Sequence, residues 1–309
     1  MSLEQLKSMS QAGQWAEIRE HAPTVIAAAE LADDRAYVHG VLSMAYARTA
    51  QGAADWRLSL EHARACRDTA EPGTYMQVFG FKQVACIAAD MGRHREISAN
   101  AAAFLREEPK HERATRFKPW VIRALSHAAY QRRDYLQAAA LRRQVLGLFQ
   151  DADNGPEITR TRLNLAWAYA RAGRPVLARQ HLPETVQADM EHLRYGALAA
   201  VLAAEGRWSE ALDAGRASLR GGRAYFDFAD AAETALILAQ CAHRLGLREA
   251  AFAFIREAAT FAARQDRKAL VLLALTLGRE GGVFLDAAAS PRGSGGYHPG
   301  SPRYLSGVA

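Results

Sequence analysis

The chain has 309 residues, 50% of them apolar, with 39 basic and 33 acidic groups and a formal charge of +6. That apolar content is ample for a continuous core, while sparse Val and Ile and no long alternating run argue against a sheet. Cys66, Cys86 and Cys241 lie far apart without a C-x-x-C pair, which suggests neither a disulfide framework nor a zinc site and fits a reducing cytoplasm.

The opening residues M-S-L-E-Q-L-K-S-M-S lack the apolar core of a signal peptide. The longest apolar run, Ala269 to Leu277, is too short to cross a bilayer. A soluble cytoplasmic protein with no membrane partner is expected. Most cationic charge is Arg, since Lys occurs only at 7, 82, 110, 118 and 268. A GC-rich genome explains that bias; an acidic partner is the functional alternative.

Similar turns recur from the start of the chain. They are A-G-Q-W at Gly13, Q-G-A-A-D-W at Gly52, M-G-R-H at Gly92 and R-R-D-Y at Arg133. A-G-R-P at Gly173, E-G-R-W at Gly206 and L-G-L-R at Gly246 follow. Successive spacings are 39, 40, 41, 40, 33 and 40 residues. Each turn is flanked by apolar stripes at helical spacing, clearest over 159–182, where Leu165, Ala168, Tyr169 and Ala172 precede Gly173 and Pro175. One such hairpin cannot bury its own apolar face, so a near-fixed period predicts hairpins stacked into a solenoid. Trp15, Trp56, Tyr135 and Trp208 close several turns, where a ring can pack across both helices.

The breakers between hairpins are Asp68 to Gly73, Glu107 to Thr115 and Asp151 to Pro156. The D-A-D-N-G stretch begins like a calcium loop, but Arg162 stands where the closing Glu would be, so it reads as a loop. R-x-H-x-P occurs at Arg19 and again at Arg179, and Pro23 and Pro183 are expected to kink or end a second helix. Lys268 to Gly278 is apolar on every side, which predicts a cover for it, either a second copy of the chain or its own tail. The division expected is a solenoid over 1–282 and a disordered Gly/Ser/Pro-rich tail over 283–309.

Leu165, Ala166, Tyr169, Gly173 and Ala178 resemble the signature of the tetratricopeptide repeat (TPR) family. Leu198, Gly206, Trp208 and Ala211 fit it as well, and Leu238, Gly246 and Ala250 more weakly. The common 40-residue spacing exceeds the family's usual ~34, a departure similar to repeats of bacterial regulators and sensors. The resemblance implies an all-α, right-handed solenoid of about seven hairpins whose concave face holds a peptide or protein. Asn164 matches a position from which family members hold a peptide main chain. The family's two-lysine carboxylate clamp is absent.

No H-E-x-x-H, Walker loop, G-x-S-x-G or dinucleotide glycine motif occurs, so no enzyme, metal or cofactor is expected. Counting back from each turn gives the inward rows. They hold Phe79, Lys82, Gln83, Cys86 and Asp90; Trp120, Arg123, His127, Tyr130 and Gln131; and Arg160, Leu163, Asn164, Trp167 and Arg171. Later rows hold Leu193, Ala197 and Ala200, a small-residue patch, then Glu233, Leu236, Ile237, Gln240 and Arg244. Arg pairs with carboxylates, Asn with peptide groups, and Trp supplies rigid contact area. The expected contacts are therefore Lys82, Trp120, Arg123, His127, Arg160, Asn164, Trp167 and Arg171. Core packing of Trp120 and Trp167 is the competing reading. Single-stranded RNA is a rival ligand, opposed by interspersed acidic residues and the lack of a long basic stripe.

Overall fold

A computed structural model describes residues 2–224 and 228–267, together with positions 270, 271 and 274. Among these residues fourteen α-helices form seven antiparallel hairpins. The first three are α1 (Leu3–Gln11) with α2 (Trp15–Ala28), α3 (Ala32–Arg48) with α4 (Ala53–Thr69), and α5 (Tyr75–Asp90) with α6 (His94–Glu107). Then come α7 (Lys118–Gln131) with α8 (Tyr135–Asp151), and α9 (Gly155–Arg171) with the short α10 (Pro175–His181). The last are α11 (Glu191–Ala204) with α12 (Trp208–Ala224), and α13 (Phe228–Arg244) with α14 (Arg248–Arg264). The array is an all-α solenoid of TPR-like hairpins.

Six of the seven turns solve the same local problem in the same way. At Gly173 (φ +69°) the next amide, Arg174 N–H, donates back to Tyr169 O at 2.9 Å, and Gly173 N–H donates to Ala170 O at 3.0 Å. This pairing satisfies two orphan carbonyls at the helix end and requires a left-handed residue. Arg133 adopts it at φ +63° despite its side chain. The Gly52 turn differs, because Gly52 is extended (φ −171°) and simply precedes α4. Pro23 is accommodated inside α2, whereas α10 stops at His181, before Pro183. That truncation accounts for the one short spacing.

The inner helices stack stepwise, α3 on α5, α5 on α7, α9 on α11 and α11 on α13. Close packing lapses between α7 and α9. There Arg142, reaching in from the outer helix α8, is 4% exposed and donates to the Asn164 carbonyl and to Ser126 Oγ. A large buried side chain wedged at this step keeps the two inner helices apart.

The chain also closes on itself. Beyond α14, Asp266 Oδ1 accepts from Arg57 and Oδ2 from Arg93, each at 3.0 Å, and Arg267 Nε donates to Asp90 O at 2.9 Å. The Asp266 carboxylate is 5% exposed. The seventh hairpin thus clasps the second and third. Asp266 has φ +55°, an expense for a residue with a Cβ. Of the apolar segment expected to need a cover, Leu270 and Val271 pack against the C-terminal core and Ala274 is buried in it. The rest of that segment, and the 283–309 tail, lie outside the described residues.

In the second hairpin His39 Nδ1 and His62 Nδ1 are 3.0 Å apart, one donating and the other accepting, with Tyr46 stacked on His62. Burial, and then the charge of His39, lowers the His62 pKa from 6.5 to about 4. Burial lowers His39 and His181 as well. The unfolded chain therefore takes up protons on acidification that the fold refuses, so stability is full above pH 6.5 and is lost as pH falls towards 4. Thermal melting from pH 7.5 to 4.5 should show a falling midpoint, and His62→Gln should flatten the slope. An unchanged slope would dismiss the pair as its source.

Candidate functional site

The gap between α7 and α9 leaves a cavity of about 140 Å³ on the inner surface. Spacings of three and four residues put Trp120, Arg123 and His127 on one face of α7, and Arg160 and Asn164 on the facing side of α9. Cys86 and Asp90 from α5 and Asp230 from α13 complete the lining. Asp90, His127, Asn164 and Asp230 also border a second, smaller cavity of about 40 Å³, walled by Tyr130, Trp167, Glu233, Arg142 and Arg267. Four hairpins, the third, fourth, fifth and seventh, therefore converge on one continuous space.

The cations of this space differ in how far they are already paired. Arg123 lies over the Trp120 ring (4.3 Å) and donates to Glu157 on the first turn of α9 at 2.9 Å. Arg142 is held by its carbonyl and hydroxyl acceptors, and burial lowers its pKa to about 10. Arg160 has neither hydrogen bond nor ion pair among the described residues. The Asn164 side-chain amide is equally without a partner there. Burial, with Arg142, Arg123 and Arg267 nearby, holds His127 well below the usual imidazole range. It is neutral near pH 7 and offers one donor and one acceptor.

Two buried polar atoms beside the smaller cavity also lack partners. Tyr130 Oη and Trp167 Nε1 have no hydrogen bond, although these residues are only 9% and 7% exposed. Leaving such groups unmatched costs about 1–3 kcal/mol each. Trp167 itself packs into the core against Gly196, where a Cβ would stand 2.8 Å from Trp167 Cζ3.

The structure thus gathers Trp120, Arg123, His127, Arg160, Asn164 and Trp167 around one space. Arg171 lies off it, donating to Tyr135 Oη at 3.2 Å and lying over that ring. Lys82 is not on the lining either. It sits near the Phe79 and Phe117 rings at 5.5 and 5.4 Å, and burial lowers its pKa. Gln83, expected to face inward, instead donates to Gly40 O at 3.2 Å and ties α5 to α3. The expected small-residue patch of Leu193, Ala197 and Ala200 is buried core, because α11 packs directly on α9 and α13.

The sequence reading missed Arg142, Asp230 and Arg267. Arg142 belongs to an outer helix, and the other two arrive from the far end of the chain. Elsewhere, an open depression of about 510 Å³ between the second and third hairpins has its Arg67 already engaged by Asp68 and Asn100. Among the described residues no His/Cys/Asp/Glu group is arranged to hold a metal, and no helix is long and apolar enough to cross a membrane.

Comparison with solved structures places this fold. The apo form of the quorum sensor NprR from B. thuringiensis superposes with a TM-score of 0.56 at 14% identity. The match covers 90% of this chain and 80% of that one. The fold is that of a TPR-like helical-repeat protein. A Rap protein complexed with competence and sporulation factor matches with a TM-score of 0.45 and 12% identity, over 92% of this chain and 74% of that one. No protein-family model matches the sequence, and no curated protein does.

Proposed function

We propose that this chain is a non-enzymatic sensor or adaptor that takes a peptide ligand on its inner face. One observation carries the reading: Arg160 and Asn164, one turn apart on α9, face the cavity with no partner of their own. Arg160 is suited to a carboxylate and Asn164 to a peptide group, with Trp120, Arg123 and His127 as the opposite wall. The similarity to a fold that serves NprR as a quorum sensor supports a sensing role. RNA is disfavoured, because Asp90, Asp230 and Glu233 face the same space as its guanidinium groups.

The test is isothermal titration of a synthetic peptide library against the protein and an Arg160→Ala/Asn164→Ala variant. Both residues are partly exposed, so helicity and melting should stay within about 0.5 kcal/mol of the parent. Binding should weaken at least tenfold, the worth of one charged hydrogen bond. Equal binding by parent and variant would remove the site from this face, and capture of oligonucleotides in low salt would favour RNA.

A further inference from the structure

The size and charge of the inner cavity narrow its occupant further, on the reading that this cavity is the ligand site. At about 140 Å³ with a neighbouring space of about 40 Å³, the cavity falls below the roughly 300 Å³ at which pockets begin to take larger ligands. Such a volume encloses a short ligand or one end of a longer one. One charge of each sign borders it: Arg160 lines the larger space, and Glu233, which also attracts the buried Arg171, lines the smaller one. Glu233, like Arg160, has no hydrogen bond or ion pair among the described residues.

Arg123, Arg142, Arg160, Arg171 and Arg267 stand around this space with Glu157, Asp90, Asp230 and Glu233, so both signs face it. A dipolar ligand can meet both.

We propose that the closed ring holds a short α-amino zwitterion, a free amino acid or a dipeptide. Its carboxylate pairs with Arg160 and its ammonium with Glu233. The Tyr130 hydroxyl accepts from the ammonium. Trp167 Nε1 donates to a ligand oxygen. Asn164, which lines both spaces, takes the peptide group of a dipeptide.

The experiment is titration of the full chain with free L-amino acids, dipeptides and tripeptides, each beside its N-acetylated and C-amidated forms. Free amino acids or dipeptides are expected to bind, and either cap should weaken binding about ten- to hundredfold. Glu233→Gln should erase the penalty of acetylation alone, and Arg160→Gln that of amidation alone. Circular dichroism confirms that the variants fold. Capped forms binding as well as free ones, or no uncapped amino acid or dipeptide binding, would overturn the proposal. If only longer capped peptides bind, and Arg160→Ala loses them, the peptide reading survives and the zwitterion does not. If nothing binds at all, both fall.

Discussion

Replacing Asp266 with Gly is expected to open the ring. The substitution suits the backbone, since Asp266 occupies a left-handed helix-end position, with Arg267 N–H bonded to Ala262 O, where Gly is ordinarily the better residue. What is lost is the carboxylate that receives Arg57 and Arg93 from residues 209 and 173 positions away. Two guanidinium groups then face each other without their shared anion, and the seventh hairpin separates from the second and third. Small-angle scattering should show a larger radius of gyration. Trp120 and Trp167, which line the inner space, should become more open to acrylamide quenching. Molar salt should move the parent protein part of the way by screening the same charges. An unchanged radius and unchanged quenching would show that packing, and not the Asp266 ion pairs, holds the ring shut.

Ala in place of Gly80 should give the largest loss of stability among single methyl additions. A Cβ there would lie 2.4 Å from Arg67 Cα and 2.7 Å from Arg67 N, backbone atoms of α4 that cannot swing aside. Overpacking of this kind costs about 3 kcal/mol, of which the better helix propensity of Ala returns about 1 kcal/mol. A net loss of about 2 kcal/mol should appear as a lower urea midpoint. Gly147→Ala is the control of opposite sign. Its Cβ would meet nothing within 4 Å, so propensity acts alone and stability should rise by up to about 1 kcal/mol. If the two variants behave alike, the α4–α5 crossing yields to the added methyl and close packing there does not limit stability.

The seven hairpins were legible in the sequence because their boundaries are local. A turn such as Ala170 to Arg174 closes hydrogen bonds within six residues, so the chemistry that selects Gly173 is complete within that window. The same holds for Asn154, whose side chain accepts from Glu157 N–H at the start of α9, and for Pro183, which follows the last turn of α10. Helical spacing then turned the inner face of α7 and α9 towards one another, so Trp120, Arg123, His127, Arg160 and Asn164 could be named as a group.

What spacing could not supply is which of those groups remain available once the chain is packed. Arg123 is engaged by Glu157, Arg171 by Tyr135, and Trp167 by the core, while Arg160 is left over. The wedge of Arg142 between α7 and α9, and the arrival of Asp230, Glu233 and Arg267 from the seventh hairpin, depend on contacts across many repeats. Each hairpin rotates a little against the last, and only the accumulated rotation brings Asp266 to Arg57 and Arg93. The sequence by itself therefore determined the repeat and the facing sides of α7 and α9, through hydrogen bonds and apolar stripes that span a few residues. The tertiary structure alone decided that the array closes into a ring, because the small inter-repeat angles that sum to closure leave no mark on any one segment.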